Sequence, residues 1–261
     1  MRASDGADLA LLDAAARAAG EIALRHFGAG PQVWDKGAGQ GPVSSADLEI
    51  DAMLRDRLMG ARPDYGWLSE ETEDDLARLT RPRVFVIDPI DGTRAFLDGQ
   101  DSFAHALAVI EEGRVVSAVV YLPRLGLSYT AQRGQGASLN GAPLQVSARY
   151  ELTGAKVLAS RLIFDTSHWP GGVPLLDRHF RPSLAWRMAL VAQGQFDAML
   201  TLRPTWHWDT AAGALLIEEA GGIVTAADGT ALRFNTRDAQ SQGVIAAGET
   251  LHHALMTRRA P

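Results

Sequence analysis

The stretch Val84-Phe85-Val86-Ile87-Asp88-Pro89-Ile90-Asp91-Gly92-Thr93 places two carboxylates directly after an apolar run. The β-branched and aromatic residues of that run predict a buried strand over 84–87. Pro89 has no N–H to donate to a neighbouring strand. The strand is therefore predicted to end at Asp88, and Asp91 to lie on the turn that follows.

The end of this stretch indicates a place for an anion. Thr93 is predicted to cap a short helical turn over 94–97, whose free N–H groups attract negative charge. Gly92 permits a close approach of the backbone. Carboxylates such as Asp88 and Asp91 repel phosphate unless hard cations lie between them. The stretch therefore predicts a magnesium site beside a phosphate cradle.

Two other interpretations of the stretch compete with this one. Asp-Pro and Asp-Gly pairs are ordinary turn formers, so the motif alone is more often a surface turn than an active site. The stretch also approaches Asp-x-Asp-Gly-Thr, the motif of haloacid-dehalogenase phosphatases, in which the first aspartate becomes phosphorylated. Pro89 stands where that aspartate would be, which excludes the covalent route.

Composition narrows the class of protein. The 261 residues are 46% hydrophobic and 21% charged, as in a globular protein with a substantial core. The net charge of −6 argues against nucleic acid or an anionic membrane as the main partner. The absence of cysteine excludes disulfides, thiolate zinc sites and cysteine nucleophiles. Residues 1–5 lack the apolar region of a signal peptide and no apolar run is long enough to span a membrane, so a cytoplasmic protein is expected.

Helices and strands are predicted to alternate along the chain, which favours an α/β or α+β layered fold. The composition changes near Val146, which predicts two halves, 1–145 and 146–261. A glycine-rich loop is predicted over 32–42 and another loop over 162–182. Helices are predicted over 8–27, from Ser44 or Ser45, over 183–193, after Asp209 through Ala212 to Ala220, and over 249–258; further strands are predicted over 66–69, 104–110, 115–121, 127–131, 137–139, 157–159, 196–200, 223–225 and 244–246.

Five carboxylates lie at the ends of predicted elements, next to apolar residues. Asp47 also suits the first turn of a helix, where its charge complements the helix dipole, and that role alone would explain it. Glu70 directly follows an apolar strand, where sites of α/β proteins are built. One such position is ordinary, but five favour a shared site: Asp47, Glu70, Asp88, Asp91 and Asp209.

Three motifs resemble the signatures of the inositol monophosphatase superfamily, a group of magnesium-dependent, lithium-sensitive phosphatases. They are Trp67-Leu68-Ser69-Glu70-Glu71, Asp88-Pro89-Ile90-Asp91-Gly92-Thr93 and Trp208-Asp209-Thr210-Ala211-Ala212-Gly213. Segments 43–47 and 218–222 also fall in the expected order, so the resemblance covers nearly the whole chain. It implies an αβαβα sandwich of the inositol monophosphatase and fructose-1,6-bisphosphatase type, built in two halves and usually dimeric.

The resemblance also implies a role for each site residue. Glu70, Asp88 and the Ile90 carbonyl would bind a first Mg²⁺. Asp88, Asp91 and Asp209 would bind a second, and Glu70 could help to bind a third. The remaining roles are catalysis by Glu70 together with Thr93 and Asp47, which would orient the attacking water; an outer contact for Glu71; and phosphate or substrate binding by Gly92, Thr93, Lys36 and Arg203.

The substrate is the least constrained prediction. Leu202 stands where animal inositol monophosphatases have a glutamate that contacts inositol. Arg94 after the central motif and Arg203-Pro204-Thr205 resemble bacterial 3′(2′),5′-bisphosphate nucleotidases. Arg203 could pair with a second phosphate or form a surface salt bridge. Lys36 could lean into the phosphate site or be solvated. A bisphosphorylated nucleotide is therefore expected first, inositol 1-phosphate next, then histidinol phosphate or a sugar phosphate.

A function of another class is a metal-binding dimer that catalyses nothing. Loss of a metal ligand or of Thr93 would favour it, and the sequence has lost none of them.

Overall fold

The computed structural model describes residues 3–37 and 41–259. Gly39, part of the predicted glycine-rich loop, lies outside the described residues. The helices are α1 (Ala3–His26), α2 (Ser45–Ala61), α3 (Thr93–Leu97), α4 (Leu184–Ala192), α5 (His207–Glu219) and α6 (Glu249–Arg259). The strands are β1 (Val33–Asp35), β2 (Pro42–Ser44), β3 (Gly66–Ser69), β4 (Arg83–Asp91), β5 (Ala104–Glu111), β6 (Arg114–Leu122), β7 (Leu127–Gln132), β8 (Gly136–Leu139), β9 (Ala142–Pro143), β10 (Lys156–Ala159), β11 (Asp177–His179), β12 (Ala198–Thr201), β13 (Thr205–Trp206), β14 (Gly222–Thr225), β15 (Gln240–Ser241) and β16 (Val244–Gly248).

Every predicted helix and strand is present, with ends that differ by a few residues. The predicted loop over 32–42 instead contains β1 and β2, which pair antiparallel. The predicted loop over 162–182 contains β11. These strands of three residues were missed because so short a segment shows no alternation of apolar and polar side chains.

The central motif departs from the prediction in two ways. β4 does not end at Asp88 but continues to Asp91, because its pairing with β5 shifts register between these two residues. The missing N–H of Pro89 is tolerated in that irregular segment. Thr93 is not the helix cap either. Gly92, with φ of 99°, precedes α3 and makes no side-chain cap, since it has no side chain to do so.

Two large sheets and three helix layers form the described part of the molecule, beside the two-stranded pairs β1-β2 and β13-β15. The larger sheet has the order β3-β4-β5-β6-β7-β8-β9, in which only β3 and β4 are parallel. The smaller sheet has the order β11-β10-β12-β16-β14. Helices α1 and α2 cover one face of the larger sheet, α4 and α5 lie between the sheets, and α6 covers the outer face of the smaller one. This is the predicted αβαβα sandwich, which is confirmed.

Successive side chains of β4 point to opposite faces of the sheet and so contribute to two of the three core layers. Phe85 and Ile87 pack under α1 and α2, whereas Val84 and Val86 pack against α4 and α5. Because α4 and α5 follow residue 146 yet pack on the sheet that precedes residue 145, the two halves share a core. Their division stays a prediction. No helix among the described residues combines the length and the apolar character that a membrane span requires.

Candidate active site

Three of the predicted carboxylates meet at the end of β4. Asp88 and Asp91 flank its irregular segment, and Asp209 lies in the first turn of α5. One oxygen of each carboxylate lies within 4.8 Å of the others, an arrangement that can hold a metal ion. We call these three residues the acidic cluster. Asp88 and Asp91 are buried and Asp209 is half-buried.

The acidic cluster is electrostatically unfavourable on its own. Burial, and then the charges of Glu70 and Asp91, raise the pKa of Asp88 well above its ordinary value. Burial, and then Asp91 and Glu70, do the same for the pKa of Asp209. Oδ1 of Asp88 is buried and has no hydrogen-bond partner in the described part of the chain. Clustered oxygens with an unsatisfied member are suited to a hard divalent cation, so these residues fit Mg²⁺.

Asp91 is held rigidly by the start of α4. Its two oxygens accept hydrogen bonds from Ser183 Oγ at 2.6 Å, from the Leu184 N–H at 3.1 Å and from the Ala185 N–H at 2.6 Å. Burial raises the pKa of Asp91, and these donors oppose the rise. The sequence predicted a helix from Ser183 but contained no sign that it would point at Asp91.

Glu70 lies beside the acidic cluster, but its side chain is engaged. Lys36 Nζ donates to Glu70 Oε1 at 2.8 Å and to Glu71 Oε1 at 2.7 Å. Burial lowers the pKa of Lys36, but the charges and hydrogen bonds of Glu70 and Glu71 together outweigh burial, and the net shift is upward. Burial, and also the charge of Glu70, raise the pKa of Glu71 to about 7. Lys36 thus lies on the carboxylates rather than on the predicted phosphate cradle.

The turn that carries Glu70 is anchored by a residue that the sequence did not single out. The two carboxylate oxygens of Asp51, in α2, accept hydrogen bonds from Ser69 Oγ at 2.5 Å and from Thr72 Oγ1 at 2.6 Å. Asp51 is buried, so both hydrogen bonds are sheltered from water. They fix the residues on either side of Glu70 and Glu71.

Thr93 and Asp47 meet as the sequence predicted. Thr93 Oγ1 lies 3.3 Å from Asp47 Oδ1 and 3.1 Å from the Ile90 carbonyl. The other oxygen of Asp47 accepts from the N–H of Ser44 at 2.8 Å in a capping box at the start of α2. Asp47 therefore both caps the helix and contacts Thr93. Burial raises its pKa to about 6.

His105 supports the irregular segment of β4 from the neighbouring strand. Its Nδ1 lies 2.5 Å from the carbonyl of Pro89, between the two aspartates of that segment. Burial lowers the pKa of His105 to about 4, so the ring is neutral and Nδ1 carries the proton that the carbonyl accepts. A histidine in an otherwise apolar strand was the only sequence signal for this contact.

Two cavities adjoin at Glu70, Arg203 and Asp209. The first, which we call the cluster cavity, has a volume of about 470 Å³ and lies over the acidic cluster, Gly92 and Thr93. The second, which we call the tryptophan cavity, has about the same volume, 470 Å³. It is lined by Lys36 and by Trp206 and Trp208, whose rings stack 4.7 Å apart.

The structure places two adjacent residues that bear on the substrate, Leu202 and Arg203, in different surroundings. Arg203 lines both cavities, whereas its neighbour Leu202 packs under α6; the role of Arg203 in substrate binding stays a prediction. Arg187 of α4, which the sequence did not single out, also lines the cluster cavity. Its spacing in α4 is that of an ordinary helix residue, so no pattern could have revealed it.

Comparisons with known proteins agree with this arrangement. The family model described as "Inositol monophosphatase family" matches residues 8–260. An inositol-1-monophosphatase of Rhizobium meliloti is 39% identical over 197 residues, which cover 72% of this chain and 73% of that one. A histidinol-phosphatase of Chlorobaculum parvum is 31% identical over 264 residues, or 95% of each chain. The crystal structure of the extragenic suppressor protein suhB of Bartonella henselae has a TM-score of 0.82 and 30% identity, covering 97% of this chain and 98% of that one.

Proposed function

The chain belongs to the inositol monophosphatase family and is a phosphatase, and on that premise we propose that it hydrolyses a small phosphomonoester with Mg²⁺ held by the acidic cluster. The observation that carries this proposal is the convergence of Asp88, Asp91 and Asp209, with one oxygen of Asp88 buried and unpaired within the described residues.

The metal ligands are assigned from this convergence and from the family pattern. Glu70, Asp88 and the Ile90 carbonyl would hold one Mg²⁺, and Asp88, Asp91 and Asp209 a second. A third ion beside Glu70 would complete the two or three ions that the sequence predicts. Bound Mg²⁺ supplies the charge that neutralises phosphate oxygens and lowers the pKa of water.

The other residues position the reactants. Thr93 can accept a hydrogen bond from the attacking water and donate one to Asp47, which lies 3.3 Å away. This pair fixes the direction from which water approaches the phosphorus. The N–H groups of Gly92 and Thr93, at the start of α3, would bind the phosphate oxygens. The α2 capping box keeps Asp47 in place.

A 3′(2′),5′-bisphosphate nucleotide is our leading substrate. Arg203 lines the cluster cavity, where its planar guanidinium group can donate two hydrogen bonds to a second phosphate. The stacked rings of Trp206 and Trp208 line the adjoining cavity and offer an aromatic surface to a base. Both features suit a charged aromatic substrate better than a neutral polyol.

Inositol 1-phosphate is the second candidate, and the names of the relatives favour it. The Rhizobium meliloti relative is an inositol-1-monophosphatase. The name of the Chlorobaculum parvum relative likewise keeps histidinol phosphate as a third candidate. A sugar phosphate is the fourth. A homodimer and a cytoplasmic location stay predictions that accompany the proposal.

A phosphate-release panel tests the function. The purified protein is assayed with adenosine 3′,5′-bisphosphate, inositol 1-phosphate, histidinol phosphate and fructose 1,6-bisphosphate, each with Mg²⁺ and with EDTA. We expect Mg²⁺-dependent release from all substrates that are accepted, with the highest kcat/KM for the nucleotide. Release from none of them would favour the metal-binding dimer that catalyses nothing, and a preference for inositol 1-phosphate would reverse our order of substrates.

A further inference from the structure

Three arginines line the cluster cavity: Arg94 of α3, which directly follows Thr93, and the pair Arg187 and Arg203. Arg187 belongs to α4, and Arg203 lies between β12 and β13. Both side chains line the cavity, and neither forms a salt bridge within residues 3–37 and 41–259. The pair therefore presents two guanidinium groups without a direct ion pair to a space that opens onto the acidic cluster.

Arg187 is held in place by contacts that leave part of its fork free. Its Nε donates to the carbonyl of Arg181, and one terminal nitrogen donates to the carbonyl of Pro182 at 3.1 Å. Its guanidinium carbon lies 4.3 Å from the centre of the Phe180 ring. The other terminal nitrogen has no partner among the described residues. A guanidinium immobilised in this way loses little entropy when it binds an anion.

The electrostatics of the pair also favour an anion between them. Burial lowers the pKa of Arg187 to about 10; the charge of Arg203 adds to this shift, and the charges of Asp91 and Asp209 oppose it. Two like charges in a partly buried cavity repel each other, and an anion that contacts both removes this repulsion. The oxygens of Asp91 already accept three hydrogen bonds from the start of α4, so Asp91 does not serve as that anion.

The reacting phosphate is assigned elsewhere, to Gly92 and Thr93 beside the acidic cluster. An anion at the arginines is therefore a different group of the same substrate. We propose that Arg187 and Arg203 together bind a second phosphoryl group, and that Arg187 determines the preference for bisphosphorylated over monophosphorylated esters. This inference rests on the proposed function, because it requires hydrolysis of the first phosphate at the acidic cluster.

Two substrates that differ by one phosphate test the inference. Adenosine 3′,5′-bisphosphate and adenosine 3′-monophosphate share the reacting group and differ only at the 5′ position. We expect the unmodified protein to prefer the bisphosphate. Arg187→Gln should raise KM for the bisphosphate by about tenfold or more, the value of one charge-assisted contact, and change kcat/KM for the monophosphate less than about twofold.

Two further variants separate this role from a structural one. Arg187→Lys keeps the charge but not the planar fork, so it should restore part of the preference. Arg181→Gln removes a neighbouring guanidinium that lies over Trp186 and does not line the cluster cavity, so it should leave the preference intact. Equal losses on both substrates in Arg187→Gln, or the same loss of preference in Arg181→Gln, would overturn the inference.

Calorimetry distinguishes failure of the inference from failure of the proposed function. Both nucleotides are titrated in Ca²⁺, which is also bound by oxygen ligands. We expect tighter binding of the bisphosphate to the unmodified protein and a clearly smaller difference between the two nucleotides in Arg187→Gln, which keeps Arg203. If the protein hydrolyses the monophosphate with Mg²⁺ but shows no preference, the inference fails and the function stands. If neither nucleotide is hydrolysed, the nucleotide substrate of the proposed function fails, and calorimetry alone decides whether the arginines bind the second phosphate.

Discussion

The side-chain nitrogen of Lys36 lies 2.8 Å from Oε1 of Glu70, a carboxylate that is proposed to bind the first magnesium ion. It also lies 2.7 Å from Oε1 of Glu71. An ammonium group and a divalent cation repel each other at this distance, so they compete for Glu70. The lysine therefore offsets the charges of Glu70 and Glu71, and we expect a bound ion to weaken its contact with Glu70.

Replacement of Lys36 should strengthen magnesium binding. Lys36→Met removes the competing charge, so the Mg²⁺ concentration for half-maximal phosphate release should fall severalfold. If the ammonium group of the unmodified protein contacts phosphate once Mg²⁺ is bound, as the sequence predicts, its removal in Lys36→Met should also raise KM for the substrate. Lys156→Met, at an exposed lysine, is the control. A weaker affinity for Mg²⁺ in Lys36→Met would show that the lysine organises the ligands rather than competing with the ion.

Thr93 should affect turnover rather than metal binding. Thr93→Ala removes the hydroxyl that contacts Asp47, so kcat should fall by about 10²-fold or more, in the range of general acid–base and positioning effects. Thr93→Ser keeps the hydroxyl and should keep most of the activity. Magnesium affinity, measured by calorimetry, should be nearly equal in all three proteins. Parallel losses of affinity and kcat would assign Thr93 to the metal site instead.

Replacement of Asp47 distinguishes a catalytic role of this residue from a role in capping α2. Asp47→Asn should lower kcat as Thr93→Ala does, because the amide is a poorer partner for the Thr93 hydroxyl. It should also lower the free energy of unfolding by about 1 kcal/mol, because it weakens the capping box. If denaturant unfolding shows the lower stability while kcat is unchanged, Asp47 only caps α2.

His105 should support Mg²⁺ binding by holding the end of β4 in its observed conformation. His105→Leu leaves the Pro89 carbonyl without its donor, at a cost of about 1–3 kcal/mol in the free energy of unfolding. Because that carbonyl lies between Asp88 and Asp91, Mg²⁺ affinity should fall as well. His105→Asn retains a donor close to the position of Nδ1 and should bind Mg²⁺ more tightly than the leucine variant. Equal Mg²⁺ affinity in the two variants would reduce His105 to a packing residue.

The site residues that could be predicted from the sequence lie at the ends of a strand and a helix with clear sequence patterns. Asp88 and Asp91 follow a clear apolar strand, and Asp209 opens a clear helix, so their placement required only that the elements pack as the family pattern implies. The end of β4 was mispredicted because the register shift that accommodates Pro89 depends on β5, which pattern alone does not reveal.

The supporting residues were not predictable, because they act across the fold. Ser183 lies far along the chain from Asp91, yet its hydroxyl contacts that carboxylate. Asp51 faces the turn at Glu70 only once α2 packs beside β3. Arg187 looks like any residue of a helix until the cluster cavity forms around it. Contacts of this kind depend on three-dimensional packing and leave no local pattern in the sequence.

The acidic cluster should destabilise the protein when no cation is bound. Asp88→Asn removes one of several buried like charges while keeping the size of the side chain, so the variant should unfold at a higher temperature than the unmodified protein in EDTA. Mg²⁺ should raise the unfolding temperature of the unmodified protein more than that of the variant. A lower unfolding temperature of the variant in EDTA would show that the Asp88 charge is compensated within the protein.

A calorimetric titration with Mg²⁺ tests the central claim, that Asp88, Asp91 and Asp209 form a metal site. The unmodified protein, Asp88→Asn and the exposed control Asp56→Asn are titrated under identical conditions. We expect saturable binding to the unmodified protein and to the control, and an affinity at least about tenfold lower for Asp88→Asn, which is the loss of one ligand contact. Equal affinities in all three proteins, or no binding to the unmodified protein, would contradict the account.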